Sequence, residues 1–154
     1  MLNVVKEQKG GTLVVFLTGS IEENVDLEKV IGPPSPQMQI SCKGVTRINS
    51  IGVKAWIKYF QIAHQQGTQL MFYECSTAIV EQINLIFNFI CGGTVDSIFV
   101  PFTCTNCKSE LVGLFKCEAI KKAHFQIPPL KCSKCGGHAV FDDIPEEYFG
   151  FLSR

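Results

Sequence analysis

The sequence predicts an α/β fold with a mixed sheet over residues 1–100, followed by a small β-rich module over residues 101–154. Three observations predict this division. A strand, a polar turn and an amphipathic helix follow one another between Gln37 and Gly67, β-branched apolar runs flank that segment, and two Cys-x-x-Cys pairs stand after Pro101. A chain of 154 residues can form one medium domain or two small ones.

The predicted sheet of the first domain takes its strands from four apolar runs. Two glycines separate residues 4–5 from the β-branched run 12–17, which predicts a hairpin. Residues 37–42 and 69–73 are two further runs, and the segment between them has helical periodicity. Strand, helix and strand in one sheet predict a parallel pair with a right-handed crossover. A short helix is also expected within residues 21–31.

The segment between the two parallel strands has the clearest helical pattern. Its apolar residues recur with the spacing of one helical face; they are Val53, Trp56, Ile57, Phe60 and Ala63. Asn49 and Ser50 both suit the N-cap, and Gly67 supplies the stop. We expect the N-terminal end of this helix at the surface, where its unpaired N–H groups can meet an anion or a partner.

A second helix is predicted over residues 78–89, with Ser76 or Thr77 as its cap. Its apolar residues wrap more than one face, which predicts burial on more than one side. Either the C-terminal module covers it or it forms a partner surface, and the sequence leaves both open. A last strand, residues 98–102, leads without a linker into Cys104. The two domains are therefore expected to share an edge or a rigid joint.

The C-terminal module contains a short repeat. Residues 101–107 and 129–135 share the order proline, apolar, any residue, cysteine, hydroxyl residue, any residue, cysteine. Each Cys-x-x-Cys turn offers two sulfurs on one side, and predicted hairpin strands at 111–117 and 123–127 bring the turns together. This predicts a structural zinc site closed by Cys104, Cys107, Cys132 and Cys135. Redox use is the rival, but it requires a pair at a helix N-terminus, and neither pair opens a predicted helix.

The chain ends in an apolar stretch, residues 148–152, after a run of acidic residues. We expect a strand-like tail packed back on the zinc-binding module. A partner-binding motif is the alternative interpretation.

Composition and charge exclude several function classes. Lys and Arg balance Asp and Glu at 14 each, so the chain has no basic field on the scale of a nucleic-acid-binding protein. The three histidines have no sequence partner for catalysis, and no phosphate-binding glycine loop is present, which predicts a protein that is not an enzyme.

No signal peptide or membrane-spanning run is found, and paired reduced cysteines favour the cytoplasm.

Residues 1–100 resemble the STAS domain, the module of sulfate-transporter tails and anti-sigma-factor antagonists. The resemblance rests on Leu-Thr-Gly-Ser-Ile at 17–21, Gly-Val-Thr-Arg-Ile-Asn-Ser-Ile-Gly-Val at 44–53, the strand 69–73 and Cys-Ser-Thr-Ala-Ile-Val at 75–80. It implies an open sheet of four or five strands with helices against one face. The C-terminal third resembles zinc ribbons in general, which serve nucleic-acid, protein-binding and structural roles alike.

In the antagonist branch, the resemblance implies a motif Asp-Ser-Ser-Gly before the central helix, with the serine next to the glycine phosphorylated by a partner kinase. Here the four positions are Asn49, Ser50, Ile51 and Gly52. Ile51 has no hydroxyl, so the usual phosphoserine switch is expected to be missing. Phosphorylation of Ser50 stays as an alternative, and Ser41 stands near where the preceding strand often carries Asp.

Two hypotheses follow. In the first, the protein is a regulator that binds another protein, an anti-sigma factor or a kinase-like regulator, through the start of the central helix. The predicted contact residues are Ser41, Arg47, Asn49, Ser50, Ile51 and Lys54. In the second, the ribbon binds nucleic acid or transcription machinery through Lys108, Lys116, Lys121, Lys122 and Lys134. Self-association is left open by the sequence.

Overall fold

The computed structural model describes residues 1–153, which form two sheets and the helices that cover them. The first sheet is mixed and has five strands in the order β1-β2-β3-β4-β5. The second is antiparallel and has four strands in the order β7-β6-β9-β8. The predicted α/β class, with a mixed sheet followed by a smaller β-rich part, is confirmed.

The strands of the first sheet lie side by side in chain order. They are β1 (Asn3–Lys9), β2 (Thr12–Ile21), β3 (Gln37–Ile48), β4 (Gln69–Tyr73) and β5 (Thr94–Val95). β1 and β2 form the predicted antiparallel hairpin, and the remaining neighbours are parallel. Gly10 makes the hairpin turn with a φ of 61°, a conformation that glycine adopts without strain.

Three helices connect these strands: α1 (Leu27–Ile31), α2 (Ser50–Gln65) and α3 (Thr77–Leu85). α1 is shorter than expected because Ile21 still belongs to β2, and the helix begins only after Asp26, whose carboxylate caps it. α3 ends at Leu85, four residues before the predicted end. Residues 87–92 form turns in which Asn88 and Cys91 have φ of 59° and 49°. These turns bring Phe89 back into the core.

One face of the first sheet is buried against the helices. Val15, Ile40 and Phe72 stand side by side on β2, β3 and β4 with no exposed surface. Trp56 stacks on Phe72 at 5.4 Å and on Phe89 at 4.9 Å between ring centroids. Aromatic packing of this kind contributes beyond the area it buries, so α2 has one defined position on the sheet.

The second sheet is built from β6 (Ser97–Cys104), β7 (Glu110–Lys116), β8 (Leu130–Lys131) and β9 (His138–Phe141). The predicted strand at 123–127 is wrong. Helix α4 (Cys117–Lys122) follows β7, and a turn follows α4 in which His124 and Phe125 have φ of 52° and 63°. Glu118, Ala119, Lys121 and Lys122 favour a helix directly after β7, so the chain does not return there as a hairpin strand.

The C-terminal tail was expected to be strand-like, and this prediction is wrong because the tail is helical. It consists of α5 (Pro145–Tyr148) and a 3-10 helix (Gly150–Ser153). Asn84 of α3 donates to the Tyr148 carbonyl oxygen and accepts from the Phe151 N–H, both at 2.9 Å. The C-terminal part therefore packs on α3. Coverage by the C-terminal module was one of the two interpretations of the apolar faces of this helix. Leu85 and Phe87 remain 77% and 89% exposed.

The two sheets are joined at β6. The N–H of Cys75 donates to the Ser97 carbonyl at 3.1 Å, and the N–H of Phe99 donates to the Cys75 carbonyl at 2.8 Å. One apolar cluster contains side chains from both sheets. The predicted boundary near residue 100 lies inside β6, and the division into two domains stays a prediction. None of the described helices has the length and apolar character needed to cross a bilayer.

Candidate functional site

The four cysteines of the two Cys-x-x-Cys turns lie together, with all four Sγ atoms within 4.8 Å of one another. The Sγ atoms of Cys104 and Cys135 are 3.4 Å apart, and those of Cys107 and Cys132 are 3.7 Å apart. Four sulfurs placed tetrahedrally at about 2.3 Å from a metal ion are separated by roughly 3.8 Å. All eight cysteines are free thiols, and the cluster has dimensions that fit a tetrahedral metal ion.

Strand pairing brings the two turns to one place. Cys104 is the last residue of β6, and Cys132 follows β8 directly. β9 lies between these two strands, and its residue Ala139 pairs with both Cys104 and Leu130. Because β6 and β8 flank β9 at the same level, the turns that follow them face each other.

Backbone N–H groups of each turn point at the sulfurs. The N–H groups of Asn106 and Cys107 both donate to Cys104 Sγ at 3.4 Å, and the N–H of Lys134 donates to Cys132 Sγ at 3.4 Å. The N–H of Gly137 donates to Cys135 Sγ at 3.3 Å. Such donors stabilise the negative charge of a thiolate and orient it toward a metal.

Two of the four thiols are shifted toward the thiolate form. The side-chain N–H of Asn106, followed by the backbone N–H of Gly137, lowers the pKa of Cys135 to about 6. The Ser109 hydroxyl, with its Oγ 3.1 Å from Cys107 Sγ, lowers the pKa of Cys107. The thiolate is the form of cysteine that binds metals, so these two shifts favour metal binding, whereas the pKa of Cys104 is raised.

The cluster supplies a complete set of four protein ligands. A tetrahedral metal bound by four sulfurs has no open position for water or substrate, which is the arrangement of a structural site. Neither Cys-x-x-Cys pair lies at the start of a helix, since Cys104 ends β6 and Cys132 follows β8. The geometry therefore gives no support to a redox role of the kind found in helix-capping Cys-x-x-Cys pairs.

The predicted partner surface centres on the first turn of α2. Asn49 is the N-cap, because its Oδ1 accepts from the Gly52 N–H at 2.9 Å. Its amide Nδ2 donates to Glu23 Oε1 at 3.0 Å. Ser50 is the first helical residue and is exposed. Because Asn49 is the N-cap, the Ser50 hydroxyl is not needed for that role.

Five of the six predicted contact residues surround this helix start; they are Arg47, Asn49, Ser50, Ile51 and Lys54. The Ile51 side chain is 50% exposed, and Arg47 Nε lies 3.4 Å from Glu22 Oε1. Glu22 and Glu23 also lie at this surface, and the sequence did not predict them there. No local pattern marks them, because they reach this surface only through the pairing of β2 with β3.

Ser41 lies apart from the other five residues. It is 3% exposed in the middle of β3, where its hydroxyl donates to Glu74 Oε1 at 3.0 Å. The rest of β3 separates it from the helix start by a distance on the order of 20 Å. The structure therefore does not bring Ser41 to the surface formed around the α2 start.

The lysines of the second hypothesis are spread over the C-terminal part. Lys116 Nζ lies 2.6 Å from Asp96 Oδ2, and Lys108 Nζ donates to the Thr105 carbonyl at 3.0 Å. Lys121 and Lys122 end α4, and Lys134 lies in the second cysteine turn; all three are exposed. Two of the five lysines are thus engaged in contacts within the protein, and three are exposed and take part in no ion pair within residues 1–153.

Comparison with models of known protein families found no match, and a search among curated proteins found none either.

Proposed function

We propose that this chain is a non-enzymatic, cytoplasmic regulatory protein that binds a protein partner through the start of α2. The observation that carries the proposal is the half-exposed Ile51 side chain in the first turn of α2, with charged residues around it. An apolar centre with a polar rim is the usual composition of a protein–protein interface. In the STAS resemblance, this position is where anti-sigma-factor antagonists meet their partner.

The non-enzymatic part of the proposal is supported by the histidines. His64, His124 and His138 are exposed and lie on α2, in the turn after α4 and on β9. No nucleophile and base with a third orienting group are found around them in residues 1–153.

The metal of the four-cysteine site is proposed to be zinc, with a structural role. Zinc prefers four-coordinate tetrahedral sites, and four thiolates are a common ligand set for it. The ion would be held by Cys104, Cys107, Cys132 and Cys135. Free thiols in such a site suit the reducing cytoplasm.

Partner binding is proposed to work without the phosphoserine switch, since Ile51 stands at the acceptor position. Ser50 is the alternative acceptor, because it is exposed and is not the cap. A phosphate on Ser50 would add up to about two negative charges beside Glu22 and Glu23, and would change the charge of the surface strongly.

The experiment compares three tagged baits in lysate from the native host: the parent chain, Ile51→Glu and Ile62→Glu. Ile62 is the matched control, because it is 41% exposed near the other end of the same helix. We expect a protein that the parent and Ile62→Glu recover and Ile51→Glu loses. Calorimetry with that purified protein should then show an affinity loss of at least about tenfold. Equal recovery of every protein by all three baits would contradict the proposed surface.

A second candidate function is nucleic-acid binding by the zinc-binding module, favoured by the exposed Lys121, Lys122 and Lys134. The balanced net charge weighs against it. Fluorescence anisotropy with duplex DNA and single-stranded RNA tests it, since binding through phosphates must weaken steeply with salt. Absence of binding at low salt would exclude this candidate.

A further inference from the structure

β7 is an edge strand of the second sheet. It pairs with β6 on one side, and no other strand of residues 1–153 pairs with it on the other. A free edge of this kind presents unpaired N–H and C=O groups, which can accept another strand.

The orientation of the β7 backbone follows from Pro101 on β6. Its carbonyl accepts from the Asp142 N–H at 3.0 Å, so the polar groups of Pro101 point toward β9. Val112 stands opposite Pro101, and its own N–H and C=O therefore point away from β6. Because alternate residues of a strand point the same way, the open edge carries the backbone groups of Glu110, Val112 and Leu114 and the N–H of Lys116, whose carbonyl belongs to the N-cap of α4.

The sequence of β7, Glu-Leu-Val-Gly-Leu-Phe-Lys, is complementary to itself in the antiparallel direction. When two copies pair about Gly113, Val112 of one copy faces Leu114 of the other. Glu110 likewise faces Lys116 of the second copy, and Leu111 faces Phe115. Val112 and Leu114, whose backbone groups are free, thus form the central hydrogen-bonded pairs of the new ladder.

The side chains on this edge fit the same arrangement. Val112 and Leu114 are 56% and 49% exposed on the outer face of the strand. Glu110 takes part in no ion pair within the described residues, and the Lys116 side chain is 68% exposed despite its contact with Asp96. Opposite charges that face each other across a strand pair stabilise it, as do apolar pairs.

Charge also selects the direction of pairing. A parallel pair of β7 strands would place Glu110 beside Glu110 and Lys116 beside Lys116, which destabilises the pair. Edge strands that avoid association commonly carry charges that repel a second strand. The charges at the two ends of β7 instead attract one in the antiparallel direction.

We propose that β7 is a homodimer interface, in which two copies of this chain pair antiparallel about Gly113 and join their four-stranded sheets into one of eight strands. This surface is separate from the start of α2 and goes beyond the proposed partner binding. The apolar centre of the interface consists of Val112 and Leu114 from both copies, and a Glu110–Lys116 pair closes each end.

Sedimentation equilibrium of the full, zinc-loaded chain tests the proposal. The mean mass should rise with concentration from 17.1 kDa toward twice that value. Val112→Lys should raise the dissociation constant at least about tenfold. Val140→Lys is the matched control: Val140 is 42% exposed on β9, a strand with neighbours on both sides, and this change should leave the dissociation constant within about twofold.

A pair of charge reversals tests the register and does not depend on the stability of any one variant. Glu110→Lys and Lys116→Glu should each dimerise poorly alone, because like charges then face each other at both ends. An equimolar mixture of the two should associate as a heterodimer, since both end pairs become complementary again.

Three results would overturn the proposal. One is a parent chain that stays monomeric up to about 1 mM. Any strand that binds the β7 edge would then belong to a different protein. Another is a dimer that Val140→Lys disrupts and Val112→Lys does not. The third is a mixture of folded charge-reversed variants that associates no better than either variant alone.

Discussion

The indole N–H of Trp56 donates a hydrogen bond to the main-chain carbonyl oxygen of Phe89 at 3.0 Å, and the two rings stack nearly parallel, 9° apart. Both side chains are fully buried. The contact connects the second turn of α2 to the turns that follow α3. It fixes the rotation of α2 on the sheet and therefore the direction in which the first turn of the helix presents Ile51.

Trp56→Phe should lower the free energy of unfolding by about 2–3 kcal/mol, because it leaves a cavity and removes the donor to the Phe89 carbonyl. Urea unfolding followed by circular dichroism measures the change, since the chain has one tryptophan and the variant has none. A loss below about 0.5 kcal/mol would contradict the importance of this contact.

Gly52→Ala should destabilise the start of α2. A Cβ added at Gly52 would lie 1.9 Å from the Ile21 carbonyl oxygen, so the helix start or the end of β2 must move. Such overpacking costs about 1–3 kcal/mol of unfolding free energy. Gly11→Ala is the control, because nothing lies within 4 Å of its added Cβ, and it should change stability by less than about 0.5 kcal/mol. Equal stability of the two variants in urea would contradict the close approach.

Metal removal should unfold the second sheet. We expect about one zinc ion per chain by elemental mass spectrometry, and Cys107→Ser should lose most of it. Cys117→Ala should keep the ion, because Cys117 is buried outside the cluster. A chelator should lower the β signal in circular dichroism, since structural zinc contributes on the order of 10 kcal/mol to small domains. Loss of zinc from Cys117→Ala but not from Cys107→Ser would contradict the ligand assignment.

Tyr59 should make stability depend on alkaline pH. Burial, with a further contribution from Glu28, raises the pKa of Tyr59 to about 12 from an ordinary value of 10.0, and its hydroxyl donates to the Gly32 carbonyl at 2.7 Å. The fold favours the neutral phenol. The stabilisation of the folded state by the neutral Tyr59 phenol is therefore complete below pH 10, and it is lost as the pH rises toward 12.

At neutral pH, Tyr59→Phe should lower the free energy of unfolding by about 1 kcal/mol through loss of that hydrogen bond. Urea unfolding of the parent and the variant between neutral pH and pH 11 should show the difference shrinking above pH 10. Two curves that stay parallel over this range would show that Tyr59 ionises equally in both states.

Most of the first domain could be predicted because its signals are local. The periodicity from Val53 to Ala63 and the cap at Asn49 fix α2 within a few residues, and the glycines after β1 fix the hairpin. The end of α3 could not be predicted in this way. Its apolar pattern continues to Phe89, but the contact of Phe89 with Trp56 requires the chain to leave the helix at Leu85.

The four-cysteine site was also predictable, since the spacing of each Cys-x-x-Cys turn is sufficient to place two sulfurs on one side. The path of the chain between the two Cys-x-x-Cys turns could not be predicted. Residues 123–127 alternate as a strand would, yet α4 and the turn after it follow β7, and the outer edge of β7 has no strand of residues 1–153 beside it.

The sequence by itself determined the α/β class, the position of α2 and the two Cys-x-x-Cys turns whose four thiols lie together, because each depends on residues close together in the chain. Tertiary structure alone decided that Ser41 is buried beside Glu74, that Glu22 and Glu23 flank the start of α2, and that the edge of β7 is open. These features depend on which strands become neighbours. These pairings join residues far apart in the chain, so the packing of the whole chain decides them.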